Sequence, residues 1–70
     1  MANTVEKKES RSGKTVGIIE ETNDGFVGTV TYDDGDGDQD SDTQKFATLL
    51  DAQGWLELTV MFMMGVHADS

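Results

Sequence analysis

Trp55-Leu56-Glu57-Leu58-Thr59-Val60-Met61-Phe62-Met63-Met64 is the densest apolar stretch of the chain, and its reading decides the fold. It holds no glycine or proline and is rich in the β-branched, aromatic and long apolar types that suit a pleated surface. Strict alternation puts Leu56, Leu58, Val60, Phe62 and Met64 on one face. Trp55, Glu57, Thr59, Met61 and Met63 fall on the other. One wholly apolar face and one half-apolar face predict a strand with neighbours on both sides.

Immediately before it, residues 43–53 repeat apolar side chains at helical spacing, with Phe46, Leu49 and Leu50 forming a narrow stripe. Ser41 or Asp42 can cap the start and Gly54 can stop the end. This predicts three turns of helix, with a strand over 43–51 as the alternative, since Thr and Phe tolerate strands.

Further upstream, residues 14–21 and 26–32 are two short runs of Val, Ile, Thr and aromatics. Asn23-Asp24-Gly25 lies between them and suits the positive φ angles of a tight hairpin turn. In that hairpin Ile19, Phe26, Val30 and Tyr32 share a face with Gly17 and Gly28. Val16, Ile18 and Val27 share the other with Glu20, Thr29 and Thr31. Glycine inside a strand weakens it unless something needs the room. A helix or an aromatic ring resting over Gly17 and Gly28 would be such a reason; a bulge is the other.

The order β, β, α, β follows. A right-handed crossover from the second strand through the helix lays the third strand beside the first. The expected fold class is α+β: a small ββαβ domain over residues 14–64, with a three-stranded antiparallel sheet in the order 2-1-3 and one helix on one face. Residues 1–13 are polar and non-periodic and read as a disordered basic arm. Residues 65–70 read as a flexible tail.

One helix covers one face of such a sheet. Val16, Ile18, Val27, Trp55, Met61 and Met63 are left on the open side, a patch that monomers rarely show without purpose. Trp and Met are also enriched at interfaces. These six residues are the expected contact surface, in a homodimer or in a larger assembly such as a phage particle. With 70 residues and no cysteine to staple it, the chain is marginal alone, which favours a partner or self-association.

The net charge of −9 is unevenly placed. Residues 1–14 carry Lys7, Lys8, Arg11 and Lys14 against Glu6 and Glu9; from residue 15 onward Lys45 alone faces every other carboxylate. An acidic body repels phosphate backbones, so direct nucleic-acid binding is not expected. Six aspartates, Asp33, Asp34, Asp36, Asp38, Asp40 and Asp42, crowd one segment without a hydrophobic residue, which reads as a solvated loop, and as a second contact surface if the charge imitates a nucleic acid. Two further explanations fit the acidity. The carboxylates could imitate the phosphates of a nucleic acid and occupy a basic groove. Alternatively, the charge is only the adaptation of a small structural protein to a high-salt interior.

Chemistry finds little support. An EF-hand needs acids at loop positions one, three and five, glycine at six and glutamate at twelve. Starting at Asp34 puts Gln39 and Lys45 in the last two places; starting at Asp36 puts Ser41 and Ala47 there. His67 is the only histidine and has no cysteine to join it as a zinc ligand, so no metal site is expected. A lone histidine near the end makes no catalytic triad. Gly35-Asp36-Gly37 is flanked by carboxylates that would repel a phosphate. Glu20 and Glu21 alternate faces on a strand. No catalysis and no cofactor are expected. The first fifteen residues show no secretory pattern, and no run reaches the ~20 apolar residues of a spanning helix. A cytoplasmic or virion location, away from membranes, is the expectation.

Overall fold

The structure, a computed structural model, describes residues 3–69. Met1 and Ala2 of the expected arm and Ser70 of the expected tail lie outside the described residues. The fold is α+β, with one helix on one face of an antiparallel sheet. The sheet has four strands in the order 1-2-3-4, where three in the order 2-1-3 were expected. The strands are β1 (Asn3–Glu9), β2 (Thr15–Thr22), β3 (Gly25–Asp33) and β4 (Gln39–Phe46), and the helix is α1 (Leu49–Val66).

The central hairpin forms where the turn signal places it. Thr22 pairs with Gly25 across Asn23-Asp24, and the register runs to Thr15 opposite Tyr32. Thr15, Gly17 and Ile19 of β2 and Gly28, Val30 and Tyr32 of β3 are buried on one face, as alternation requires.

The stretch from Trp55 to Met64 is helix, not strand, and this changes the topology. Its only β-branched residues are Thr59 and Val60, while Leu, Met and Glu are among the better helix formers. A nearly continuous apolar run satisfies a period of 2 as easily as 3.6, so alternation alone could not separate the two. Ala52, Leu56, Val60 and Met63, spaced by three and four, are the buried stripe. Thr48 is the N-cap in place of Ser41 or Asp42, its hydroxyl accepting from the Asp51 amide at 3.3 Å. Gly54 does not stop the helix but lies within it.

With the helix moved downstream, residues 39–46 are free to be strand. β4 pairs with β3 from Gln39 opposite Asp33 to Phe46 opposite Phe26. The acidic loop therefore shrinks to residues 34–38, and Asp40 and Asp42 lie on a strand. Aspartate is a poor strand former, and β4 shows no apolar alternation before Phe46, so pairing with β3 rather than propensity makes this strand. It is an edge strand, and its charges guard it against pairing with other chains.

The segment expected as a disordered arm supplies the other edge. β1 pairs antiparallel with β2, with an irregularity between Thr4 and Glu6 at Val5. Two links tie it to the helix: Gln53 Nε2 donates to Glu6 Oε1 at 3.3 Å, and Lys8 Nζ lies 3.8 Å from a Glu57 carboxylate oxygen. Residues 65–69 of the expected tail continue the helix and its cap. Gly65 and Val66 belong to α1, and the helix ends in a Schellman arrangement. The Ala68 amide donates to the Gly65 carbonyl at 3.3 Å and the Asp69 amide to the Met64 carbonyl at 2.8 Å. The Asp69 carboxylate then accepts from Thr15 Oγ1 at 2.6 Å, Ser10 Oγ at 2.7 Å and the Ser12 hydroxyl.

Ile19, Val30, Tyr32, Ala52, Leu56, Val60 and Met63 form the core. The two strand glycines let the helix come close. A Cβ on Gly17 would lie 2.6 Å from Leu56 Cδ1 and 2.8 Å from Val60 Cγ2; one on Gly28 would lie 2.5 Å from Trp55 Cζ3.

Candidate interaction surface

The inner stripe of α1 uses only part of its apolar surface. Leu50, Leu58, Met61, Phe62 and Val66 point away from the sheet and are 58–77% exposed. At 100° per residue they spread over one side of the helix together with Gly54 and Gly65, and with Asp51 in the first turn. Asp51 and Glu57 are the only charges on α1. An amphipathic surface helix has a polar outer face; a helix apolar all round is ordinarily buried. An apolar surface of this kind makes the outer face of α1 the candidate contact site.

The open face of the sheet is different. Val16, Ile18 and Val27 do lie there, half-buried. Cross-strand pairing sets Ile18 between Lys7 and Thr29, Val16 between Glu9 and Thr31, and Val27 between Glu20 and Lys45. The three apolar side chains are thus interleaved with charges and threonines, which solvate the face.

The six expected contact residues separate into four places. Val16, Ile18 and Val27 stay on the open sheet face, and Met61 is on the outer face of the helix. Met63 is buried in the core. Trp55 covers Gly28, with its ring 5.6 Å from that of Phe46. They were grouped by a period of 2, and a helix disperses such a set around its circumference. Leu50, Leu58, Phe62 and Val66 were missed; the available signal was that they fall off the inner stripe once a period of 3.6 is applied to residues 49–66.

The aspartates largely fold their own hairpin. Asp33 Oδ1 accepts from the Gly35 amide at 2.8 Å, and Asp34 Oδ1 accepts from the amides of Asp36 at 2.7 Å and Asp38 at 3.1 Å. Gly35 and Gly37 take the positive φ angles that this turn needs, 81° and 102°. Asp38 and Asp40 flank His67, with carboxylate oxygens 3.6 Å from Nδ1 and 3.2 Å from Nε2. His67 is therefore docked rather than loose. The Tyr32 phenol beneath it is raised above its ordinary value of 10.0, first by burial and then by the carboxylates of Asp34, Asp38, Asp69 and Asp33. Asp42 lies further along β4, opposite Val30.

A groove of about 540 Å³ beside this corner is lined by Thr31, Tyr32, Asp33, Gln39, Asp40 and Ser41, with two carboxylates and no cation in its walls. Among the described residues no three His, Cys, Asp or Glu side chains converge to hold a metal ion. No described helix is long and apolar enough to cross a membrane.

What the surface offers is an apolar helix face backed by a four-stranded sheet. Comparison with known proteins adds no relative: no family model, no curated protein and no solved structure matches the chain.

Proposed function

We propose that the protein is a non-catalytic association module, acting through the outer face of α1 as a homo-oligomer or as a subunit of a larger assembly. The exposed apolar stripe from Leu50 to Val66 carries this reading. The free chain would hold these side chains in water at a cost near 25 cal/mol for each Å². Covering them removes that cost without changing the fold. Aromatic and methionine side chains on the stripe are types favoured at the centre of contacts, where charged residues are depleted.

The acidic surface has a different role in this scheme. Asp33 and Asp34 are spent on the turn's amides, and Asp38 and Asp40 on His67, which weighs against a row of carboxylates presented as a nucleic-acid mimic. The remaining charge keeps the body soluble and opposes association at low ionic strength.

The test is solution mass by light scattering at low and molar salt, for the parent and for Leu58→Lys. A parent heavier than 7.6 kDa that Leu58→Lys returns to monomer mass supports the outer face. An assembled species that ignores Leu58→Lys but dissociates on Ile18→Lys would move the contact to the open sheet face.

A further inference from the structure

The outer face of α1 is self-complementary about one residue, and from this we infer that its occupant is a second copy of the same chain. The inference rests on the proposed association through that face. Gly54 and Phe62 stand four positions before and after Leu58, each about 6 Å away along the axis. Leu50 and Val66 stand eight positions before and after it. In an antiparallel pair whose helices cross at about 50°, so that the i±4 rows of both run parallel, a two-fold axis at Leu58 brings the two Leu58 side chains together at the centre. Each Gly54 faces the partner's Phe62, twice by symmetry, and each Leu50 faces the partner's Val66. A residue without a side chain thus receives the largest one on the face, as ridges into grooves require.

The fold itself gives no reason for that glycine. Glycine is a poor residue for a helix interior. A Cβ at Gly54 or Gly65 would meet nothing within 4 Å in its own chain, in contrast to Gly17 and Gly28. The open space at Gly54 is on the side a partner would occupy.

Area points to the same occupant, and charge disfavours a lipid surface. Five side chains exposed by 58–77%, on residues of about 150–200 Å² each, offer roughly 600 Å² per subunit, so about 1,200 Å² in a pair. That is the lower limit of a stable specific interface, reached with both copies contributing equally. An anionic lipid surface is disfavoured, since α1 has no cation and the chain carries −9. Glu57 already faces Lys8 of its own chain, and Asp51, exposed in the first turn of α1 and within the arc of the stripe, lies across from the partner's glycine at position 65. The assembly is a four-layer sandwich with two helices between two sheets, its charged and threonine-rich sheet faces outward.

The absence of native cysteine makes register directly measurable. In the full chain, Leu58→Cys should form a disulfide-linked dimer on mild oxidation, because side chains on the two-fold axis approach within disulfide range. Leu50→Cys should not link to itself but should link to Val66→Cys when the two are mixed. Independently, Gly54→Leu should weaken association at least about tenfold while the far-ultraviolet circular dichroism stays that of the parent, and adding Phe62→Ala should restore association. Self-linking of Leu50→Cys would show a parallel pair and overturn the register. If Leu58→Lys dissociates an oligomer yet Leu58→Cys does not link, the association reading stands and the antiparallel pair is wrong. If the parent is a monomer at every concentration and salt, the second copy is excluded.

Discussion

The His67 imidazole lies flat on the Tyr32 ring, with centroids 3.9 Å apart and planes within 3° of parallel. Tyr32 belongs to the core and His67 caps the helix, so this stack joins the end of α1 to the centre of the sheet. Asp38 and Asp40 hold the imidazole from the hairpin side, and the Asp69 carboxylate fastens the next residues to the β1–β2 turn.

Tyr32 gives the fold an alkaline limit. Its proton is held more tightly in the folded chain than in the unfolded one. Such a group contributes stability that is complete below the unfolded value and disappears as pH climbs through the folded one. Urea unfolding should therefore show stability falling from about pH 10 upward. Tyr32→Phe, which has no hydroxyl to ionise, should flatten that part of the profile; an unchanged profile would assign the loss to another group.

Asp69→Ala should cost about 1–3 kcal/mol, because it strips a shared acceptor from the buried hydroxyls of Ser10 and Thr15. For a domain of this size that is a fall in melting temperature of roughly 4–8 °C per kcal/mol. Calorimetry on the variant would measure it, and no change would mean that water replaces the carboxylate.

Ala68 sits at the Schellman position with φ of 51°. A side chain there is strained by about 1–2 kcal/mol, part of which glycine returns through its freer unfolded chain. Ala68→Gly should thus raise stability by about 0.5–1 kcal/mol, readable as a shift of the denaturant midpoint.

Glycines in different places should respond with opposite signs to the same change. Gly17→Ala drives a methyl into Leu56 and Val60 and should destabilise by about 1–3 kcal/mol. Gly54→Ala meets nothing in its own chain and should stabilise the helix by about 1 kcal/mol. Equal effects in chemical unfolding of the two variants would contradict the close approach of α1 to β2.

The parts of the fold legible in the sequence are those where one physical signal acts alone. Asn23-Asp24-Gly25 fixes the hairpin, and alternation around it sorts Ile19 and Val30 from Val16 and Ile18. β1 is illegible, and β4 legible only as the alternative strand over 43–51, of which it forms 43–46, because edge strands of one sheet need few apolar residues; theirs are Val5 and Phe46. Between residues 49 and 66 the difficulty was the reverse. Apolar residues on both sides of the helix erase the contrast from which a period is read, and Gly54 imitates a stop signal. The exposed apolar face of the helix is hidden from a strand reading for the same reason, since Leu58 and Met61 fall on opposite faces of a strand but on one face of a helix.

A helix that is apolar front and back could lie on the sheet either way up. Hydrophobicity alone would give the two placements similar energy. The bare backbone at Gly17 and Gly28 breaks the tie, since it leaves two recesses into which Leu56 with Val60, and the Trp55 ring, fit as a key fits a lock. The orientation of α1 is thus set by two residues that have no side chains, in strands completed before the helix begins. Filling either recess would leave the chain choosing between two faces, with the association stripe turned inward in one of them.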